Sequence, residues 1–188
     1  MSPQSVGSGS SVAGSQSMTV NVREMRLEEV DLVISYFHES TAEHLDMLGV
    51  DPTRLPARGH WRQLYASDYA EPIERRRSLL LLWEIESTPI GFSSVDKIIY
   101  GEEAYMHLHI FTAMQRQRGY GAACVRKSAA IYFERLRLAR LYSEPNAFNA
   151  GPNRTLQKAG FVYVKTHRTV PGPLNYHQAV TRWVCGRP

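Results

Sequence analysis

The feature that most constrains the fold is a pair of glycines between a run with strand composition and a run with helical periodicity. The upstream run, residues 105–111 (YMHLHIF), is rich in aromatic and branched side chains. Gly119 and Gly121 then precede a helical pattern, so they fall where a helix begins after a strand. The apolar residues that recur at helical spacing on one face are Ala122, Val125, Ala129, Phe133 and Leu136.

This turn has the properties of an anion site. Without Cβ atoms, Gly119 and Gly121 allow the backbone to approach a ligand closely, and the first N–H groups of a helix have no intrahelical partner. Arg116 and Arg118 add positive charge beside them. The segment therefore predicts a cradle for a phosphate group, with a plain tight turn as the alternative.

The same segment resembles a signature of a known family. Residues 116–121, RQRGYG, resemble the R/Q-x-x-G-x-G/A signature of the GNAT superfamily of acetyl-CoA-dependent N-acetyltransferases. Residues 149–161, NAGPNRTLQKAGF, resemble that family's N-x(10)-G-F segment, a short helix that ends in Gly-Phe. One helix and one strand fit between the two segments. The resemblance covers roughly residues 18–184, and it is strongest in the second half.

The resemblance implies the fold class. The expected fold is α/β (α+β), with a mixed, mostly antiparallel twisted sheet of about seven strands, helices on both faces, and strands 4 and 5 splayed apart. The chain has 188 residues, 43% of them hydrophobic, which suits a single domain. We expect residues 18–188 to form one GNAT acetyltransferase domain and the Ser- and Gly-rich residues 1–17 to be a disordered tail.

Hydrophobic patterning and turn residues predict the order of elements along the chain. In the first half they predict strands over residues 18–25, 78–85, 90–100 and 104–111, and helices over residues 27–38, 41–48 and 57–69. In the second half they predict a helix over residues 119–138, a strand over 139–144, a short helix after residue 149, and strands over 162–170 and 175–184.

The resemblance implies acetyl-CoA as cosubstrate and suggests which residues contact it. The end of the fourth strand, where a bulge is typical of the family, is expected beside the pantetheine arm at Phe111, Thr112 and Ala113. Asn149 matches the family asparagine that bonds the coenzyme near its sulfur, and Asn153 lies one helical turn later. The residues expected around the phosphates are Arg116, Gln117, Arg118, Gly119, Tyr120, Gly121 and Ala122.

Acetylation of an amine requires a group that removes a proton from the ammonium. His107 and His109 are two residues apart on a strand, so their side chains share a face, and imidazole titrates near neutral pH. The pair resembles the paired histidines on the same strand of arylalkylamine acetyltransferases. Of the two histidines in this chain, only His107 matches one of those positions. Glu84 and Tyr105 are alternative bases, and a structural role for both histidines also stays open.

The acid that protonates the departing thiolate has no clear candidate. Many family members carry a tyrosine five residues before the Gly-Phe phenylalanine, and this chain has Leu156 there. Tyr142, Tyr163 and Tyr176 remain candidates, and each is alternatively a core or rim aromatic.

Composition and motif content exclude several classes of protein. The longest apolar run, residues 79–83, is far shorter than the ~18 residues of a membrane helix. No zinc-finger, homeodomain or RNP-like pattern indicates a nucleic-acid partner. The two cysteines, Cys124 and Cys185, have neither metal-site spacing nor the pattern of a disulfide framework. We therefore expect a cytoplasmic, metal-free enzyme, monomeric or homodimeric, with no membrane partner.

The family resemblance implies transfer of an acetyl group from acetyl-CoA to a primary amine of a small polar molecule, by direct attack within a ternary complex. Glu39, Glu43 and Asp46 could hold a cationic acceptor, but a solvated helix face is the simpler interpretation of these acids. Two other functions stay open: a protein or peptide N-acetyltransferase, and a non-catalytic acyl-CoA-binding regulatory module.

Overall fold

The computed structural model describes residues 19–112 and 119–187. The predicted contacts at Ala113, Arg116, Gln117 and Arg118, and the predicted tail, lie outside the described residues. The strands are β1 (Val20–Glu24), β2 (Leu79–Ile85), β3 (Thr88–Ile99), β4 (Glu103–Ile110), β5 (Arg140–Ser143), β6 (Val162–Thr169) and β7 (Gln178–Gly186). The α-helices are α1 (Asp31–His38), α2 (Ala42–Leu48), α3 (Arg58–Tyr69), α4 (Tyr120–Arg135) and α5 (Ala150–Ala159).

The strands form one seven-stranded sheet in the order β1-β2-β3-β4-β5-β7-β6. Neighbouring strands pair antiparallel except β4 and β5, which are parallel and are connected through α4. A parallel pair needs such a crossover because its strands run in the same direction. The predicted mixed, mostly antiparallel sheet is confirmed.

The parallel pairing of β4 with β5 is short. It covers three residue pairs and ends at Tyr105 and Tyr142, while β4 continues to Ile110. Ser143 Oγ then donates a hydrogen bond of 2.7 Å to the carbonyl of Met106. Beyond this bond no described strand pairs with the β5 side of β4, so the predicted opening between strands 4 and 5 is present.

The opening does not arise from a bulge in β4, as the family resemblance suggested. β4 pairs with β3 in continuous register from Ile110 to Tyr105. The irregularity lies in β3, between Asp96 and Ile99, where Lys97 has φ of 48°. One extra residue there makes a β-bulge, so the twist is adjusted in the neighbouring strand. The opening itself exists because β5 ends early.

Helices cover both faces of the sheet, and alternate strand residues pack against different helices. On one face, Leu81, Trp83 and Met106 belong to a core that includes residues of α4 and α5. On the other face, Leu80 and Phe92 belong to a core that includes residues of α1, α2 and α3. The two faces therefore offer separate surfaces on either side of the β4–β5 opening.

A buried network of hydroxyl groups joins α4 to the centre of the sheet. Ser128 Oγ on α4 accepts a hydrogen bond of 2.9 Å from Trp83 Nε1 and another of 3.1 Å from Ser93 Oγ. Ser93 Oγ also lies 2.8 Å from the Tyr132 hydroxyl. All four side chains are inaccessible to solvent, so the network depends on every member being present.

We predict that Ser128→Ala lowers the free energy of unfolding by about 1–3 kcal/mol, because the buried Trp83 indole N–H loses its acceptor. Urea denaturation measures this change. Ser67→Ala is the matched control, since Ser67 is an exposed serine on α3 and gains the same helix propensity. Equal stability of the two variants would contradict a stabilising role for the network.

Within the described ranges, no helix is long and apolar enough to cross a membrane. Cys124 and Cys185 are both free thiols, and burial raises the pKa of Cys124 to about 12. Cys124 is therefore a buried neutral side chain in the α4 core rather than a reactive thiolate.

Candidate active site

A cavity of about 350 Å³ lies on the sheet face that carries α1, α2 and α3. Its lining includes residues of β2, β3 and β4 and the segment that follows β5. Neighbouring strands lie about 4.8 Å apart, so the cavity spans roughly 14 Å across the sheet. The cavity is of the size that binds small ligands, and it reaches the β4–β5 opening.

His107 lies in the middle of this cavity beside Asp96. The Nε2 atom of His107 and the Oδ1 atom of Asp96 are 3.1 Å apart, and both atoms are buried although 28% of the His107 side chain is exposed. The ring N–H is not aligned for a hydrogen bond, so the contact is an ion pair whenever the imidazole is protonated. The β3 bulge follows Asp96 directly, at the point where β3 faces Tyr105 of β4.

The environment of His107 changes its acidity in two opposing ways. Burial is the largest single influence and lowers the pKa of the imidazole, but the charge and the close contact of Asp96, with the charge of Glu144, together outweigh it, and the net pKa lies above its ordinary value. The pKa of Asp96 is lowered: burial acts to raise it, and the charges of His107 and Lys97 act in the opposite direction. The pair therefore holds a proton more readily than an isolated imidazole.

His109 also lines the cavity but has a different environment. Its ring stacks on Phe92 with centroids 4.7 Å apart and contacts the rings of Tyr36 and Phe37. Its Nδ1 lies 3.4 Å from the Tyr36 hydroxyl, which is 2.8 Å from His44 Nε2. The structure therefore brings both predicted histidines into one cavity, His107 with a carboxylate and His109 within an aromatic cluster.

Glu84 is on the same sheet face as the cavity, but its carboxylate is bound by side chains of β1. Its carboxylate accepts hydrogen bonds from Arg23 Nη2 at 2.8 Å and from Asn21 Nδ2 at 3.0 Å. It does not line the cavity, and 7% of the residue is exposed. This arrangement favours a structural role for Glu84, which the sequence reasoning missed because it could not identify the β1 partners.

The predicted phosphate cradle lies at the start of α4. Gly119 is the residue before the helix and has φ of 81°, a conformation that glycine adopts without strain. Tyr120, Gly121 and Ala122 form the first turn, where backbone N–H groups lack intrahelical acceptors. A Cβ atom at Gly121 would lie 3.2 Å from Cγ2 of Thr155, so this glycine also permits close packing of α5 on α4.

Phe111 and Thr112 follow the last residue of β4. The backbone N–H of Phe111 donates to the carbonyl of Ile90 at 3.0 Å, which extends the pairing with β3. The Phe111 ring packs against the α1 side of the sheet, 5.7 Å from Phe92 between centroids, and Thr112 is exposed. The edge of Phe111 toward β5 remains the part expected to face the coenzyme.

The two predicted asparagines differ in their availability. Asn149 is the N-cap residue of α5 and lines the cavity, and its side chain makes one long hydrogen bond, from Nδ2 to the Met47 carbonyl at 3.4 Å. Asn153 does not line the cavity, and its amide donates to the carbonyls of Asn146 and Asn149 and accepts from Trp183 Nε1 at 2.8 Å. Because these bonds use both ends of its amide, Asn153 positions the loop before α5 and does not suit direct contact with a ligand.

None of the candidate tyrosines lines the cavity. Tyr105 stacks on Tyr142 with centroids 5.2 Å apart, and burial raises the pKa of Tyr105, so its phenol is not a base near neutral pH. The Tyr176 hydroxyl donates to Asp46, and Tyr163 is 54% exposed. Leu156 is fully buried in the core beside α4, so the position of the family tyrosine is filled by packing.

Sequence reasoning missed two cavity carboxylates, Asp96 and Glu144. Glu144 is buried and accepts from Arg182 Nε at 2.7 Å, and His167 Nε2 lies 3.3 Å from it. Alternation along β3 could have indicated the face of Asp96, but its closeness to His107 depends on strand register. Glu144 follows β5 directly and had no sequence signal of its own. The described residues contain no group of three potential metal ligands positioned to hold an ion.

The comparisons with known proteins agree with this fold. Spermidine N-acetyltransferase from Vibrio cholerae, solved with CoA and spermine, is similar with a TM-score of 0.71 and 14% identity, over 89% of this chain and 95% of that chain. RimL, a ribosomal L7/L12 α-N-protein acetyltransferase solved with CoA, gives a TM-score of 0.71 and 13% identity, over 90% and 95%. The aminoglycoside acetyltransferase AAC(6')-Ib, solved with CoA, has a TM-score of 0.67 and 14% identity, over 90% of this chain and 95% of that chain.

Among curated proteins, none is similar to the chain at a significant level. The structural neighbours show the fold, which is the predicted one. The family described as Acetyltransferase (GNAT) domain matches residues 20–162, which is most of the chain. The chain therefore belongs to the GNAT acetyltransferase family, and it is an acyl-CoA-dependent N-acetyltransferase.

Proposed function

We propose that the protein transfers an acetyl group from acetyl-CoA to a primary amine of a small molecule, by direct attack within a ternary complex. The observation that carries this proposal is the cavity that joins the β4–β5 opening to the His107–Asp96 pair. When bound, acetyl-CoA supplies the thioester carbonyl that the amine attacks. The chain supplies the binding groups, the orientation and the proton acceptor.

The coenzyme site is divided between a strand edge and a helix start. The open edge of β4 beyond Met106 offers backbone groups to the pantetheine arm, as an additional strand would use them. The first turn of α4 after Gly119 offers N–H groups and the positive end of the helix dipole to the pyrophosphate. Asn149, on the cavity wall, bonds the coenzyme near its sulfur in this proposal.

His107 accepts the proton of the acceptor ammonium in this proposal, and Asp96 stabilises the resulting imidazolium. A carboxylate 3.1 Å from the ring is the arrangement that favours the charged form. Asp96 acts through His107 and is a positioning residue. His109, held in its aromatic cluster, forms the cavity wall next to the reacting amine.

The loop between β6 and β7, which forms the roof of the cavity, favours a small-molecule acceptor. The loop between β6 and β7 is fastened to the segment after α2, because Asp51 N donates to Leu174 O at 2.8 Å and Asn175 Nδ2 donates to Gly49 O at 2.9 Å. Lys97 Nζ also donates to Pro171 O at 2.5 Å, beside Asp96. A roof held at several points encloses the site and leaves less room for a polypeptide than an open groove.

Thiol release from acetyl-CoA tests the proposal. The purified chain is assayed with a panel of primary amines and with a short peptide that has a free N-terminus. Amine-dependent CoA release supports the proposed function. Release with the peptide alone would assign a peptide acetyltransferase, and coenzyme binding without release from any acceptor would assign a non-catalytic module.

We predict that Gly121→Val raises the CoA dissociation constant at least ~10-fold, equivalent to about 1.4 kcal/mol, because side-chain bulk blocks backbone approach to the pyrophosphate. Isothermal titration calorimetry measures this constant. Thr155→Ser in the same chain removes the methyl group that a Cβ at position 121 would meet, and it keeps the hydroxyl that donates to Gly151 O. Wild-type affinity in the double variant would contradict the cradle, because packing against α5 would then be the cause.

We predict that His107→Ala lowers kcat by roughly 100-fold and leaves the CoA dissociation constant nearly unchanged. The reason is that the proton acceptor is lost while the coenzyme contacts remain. His109→Ala is the matched comparison on the same strand, and a larger loss in that variant would transfer the role to His109. Wild-type rates in both variants would contradict strand-histidine catalysis.

We predict that Asp96→Asn moves the acidic limb of the kcat/KM profile to lower pH. Asp96 raises the pKa of His107, so removal of its charge lets burial lower that pKa, and the imidazole is then deprotonated at lower pH. Asp31→Asn, which removes a surface carboxylate paired with Arg62, is the control and leaves the limb in place. A shift to higher pH, or none, would contradict the pairing.

A further inference from the structure

We propose that the acceptor amine carries an apolar group of about ring size and no second cationic group. This inference rests on the proposed function and concerns the same cavity. It revises the polar acceptor expected from the acidic residues in the first two helices.

The coenzyme and the acceptor enter the cavity from different ends. Ser143, Asn149 and Pro152 line the end beside the β4–β5 opening, where the thioester arrives in the proposed function. His107 lies at β4, in the middle. The remaining end lies toward β2 and α3, two strand spacings or roughly 10 Å farther on. Within this cavity, this end is the one that can hold the part of the acceptor that does not react.

That far end is formed almost entirely by apolar side chains. The rings of Trp61 and Tyr65 are stacked with an interplanar angle of 16°, and Phe37 lies 5.6 Å from Trp61 between centroids. Burial raises the pKa of Tyr65, so its phenol stays neutral. The apolar residues that line this end are Val33, Phe37, Trp61, Leu64, Tyr65 and Leu80.

The charged side chains of the described lining already have partners. Arg54 lies 3.4 Å from Asp51, and Asp96 lies 3.1 Å from His107. Glu144 is bound by Arg182 at 2.7 Å. The carboxylates of the described lining, Asp96 and Glu144, lie beside His107 and after β5 rather than at the far end, so a second ammonium there would lose its hydration without a carboxylate partner.

The acidic residues that suggested a cationic acceptor lie outside this cavity. Glu39 is 3.0 Å from Arg58, and Asp46 accepts a hydrogen bond from the Tyr176 hydroxyl at 2.9 Å. Glu43 is exposed on α2. None of the three lines this cavity, and Glu39 lines a separate pocket beside Phe111, so their charges do not set the preference of the cavity that holds His107.

The first test uses amines of matched length. Hexylamine and 1,6-diaminohexane differ only in a terminal ammonium, and 2-phenylethylamine supplies a ring. We expect kcat/KM for hexylamine and 2-phenylethylamine to exceed that for 1,6-diaminohexane, spermidine and kanamycin by at least ~10-fold, because burial of several methylene groups is lost when the far end of the acceptor is charged.

The second test places a charge at the far end. Leu64 lines the cavity and is 38% exposed, so Leu64→Asp introduces a carboxylate without burying it fully. We expect this variant to lose at least ~10-fold in kcat/KM for 2-phenylethylamine and to gain activity with 1,6-diaminohexane. Leu27→Asp is the control, since Leu27 is 39% exposed and lies outside the cavity lining.

The outcomes separate the inference from the proposed function. Faster release with spermidine, kanamycin or 1,6-diaminohexane than with the apolar amines would overturn the inference and leave the function in place. An unchanged preference in Leu64→Asp would also overturn it. Release with no amine of either class would overturn the proposed function, and the inference with it.

Discussion

The early end of the pairing between β4 and β5 is the constraint on which the rest of the site depends. Parallel strands normally satisfy each other's backbone groups along their length, yet this pair stops after three residue pairs. The Ser143 hydroxyl satisfies the Met106 carbonyl where the pairing ends. Beyond that point β4 presents backbone groups that a ligand can use. The short β5 therefore creates a binding edge in the interior of the sheet.

This edge connects the two faces of the sheet. The crossover from β4 to β5 runs through α4, so the helix start with its free N–H groups follows the open strand within a short segment. Side chains alternate along β4, so Met106 fills the core beside α4 while His107 and His109 point into the cavity under α1 and α3. In the proposed function, one strand thus supplies backbone groups to the coenzyme and side chains to the acceptor. The buried Ser128 network fixes α4 to the same sheet.

The sequence allowed prediction of what depends on local pattern and failed where the outcome depends on register and partners. The element order, the glycine turn and the pairing of His107 with His109 on one face followed from periodicity and spacing. The contact between Asp96 and His107 could not be derived, because it depends on how β3 pairs with β4 beside the bulge at Lys97. Glu84 looked available until β1 supplied Arg23 as its partner. Asn153 matched the helical spacing of a ligand contact, but its amide is used to hold the loop before α5.

Hydrogen–deuterium exchange with and without CoA tests the central claim most directly, because it reports on backbone N–H groups at both parts of the coenzyme site. The account predicts slower exchange on CoA binding in peptides that cover residues 106–112 and 119–123. It predicts no change in residues 20–24 and 79–85, which pair with each other on the far side of β3. Unchanged exchange over residues 106–112 in the presence of saturating CoA would contradict the claim that the open edge of β4 binds the coenzyme.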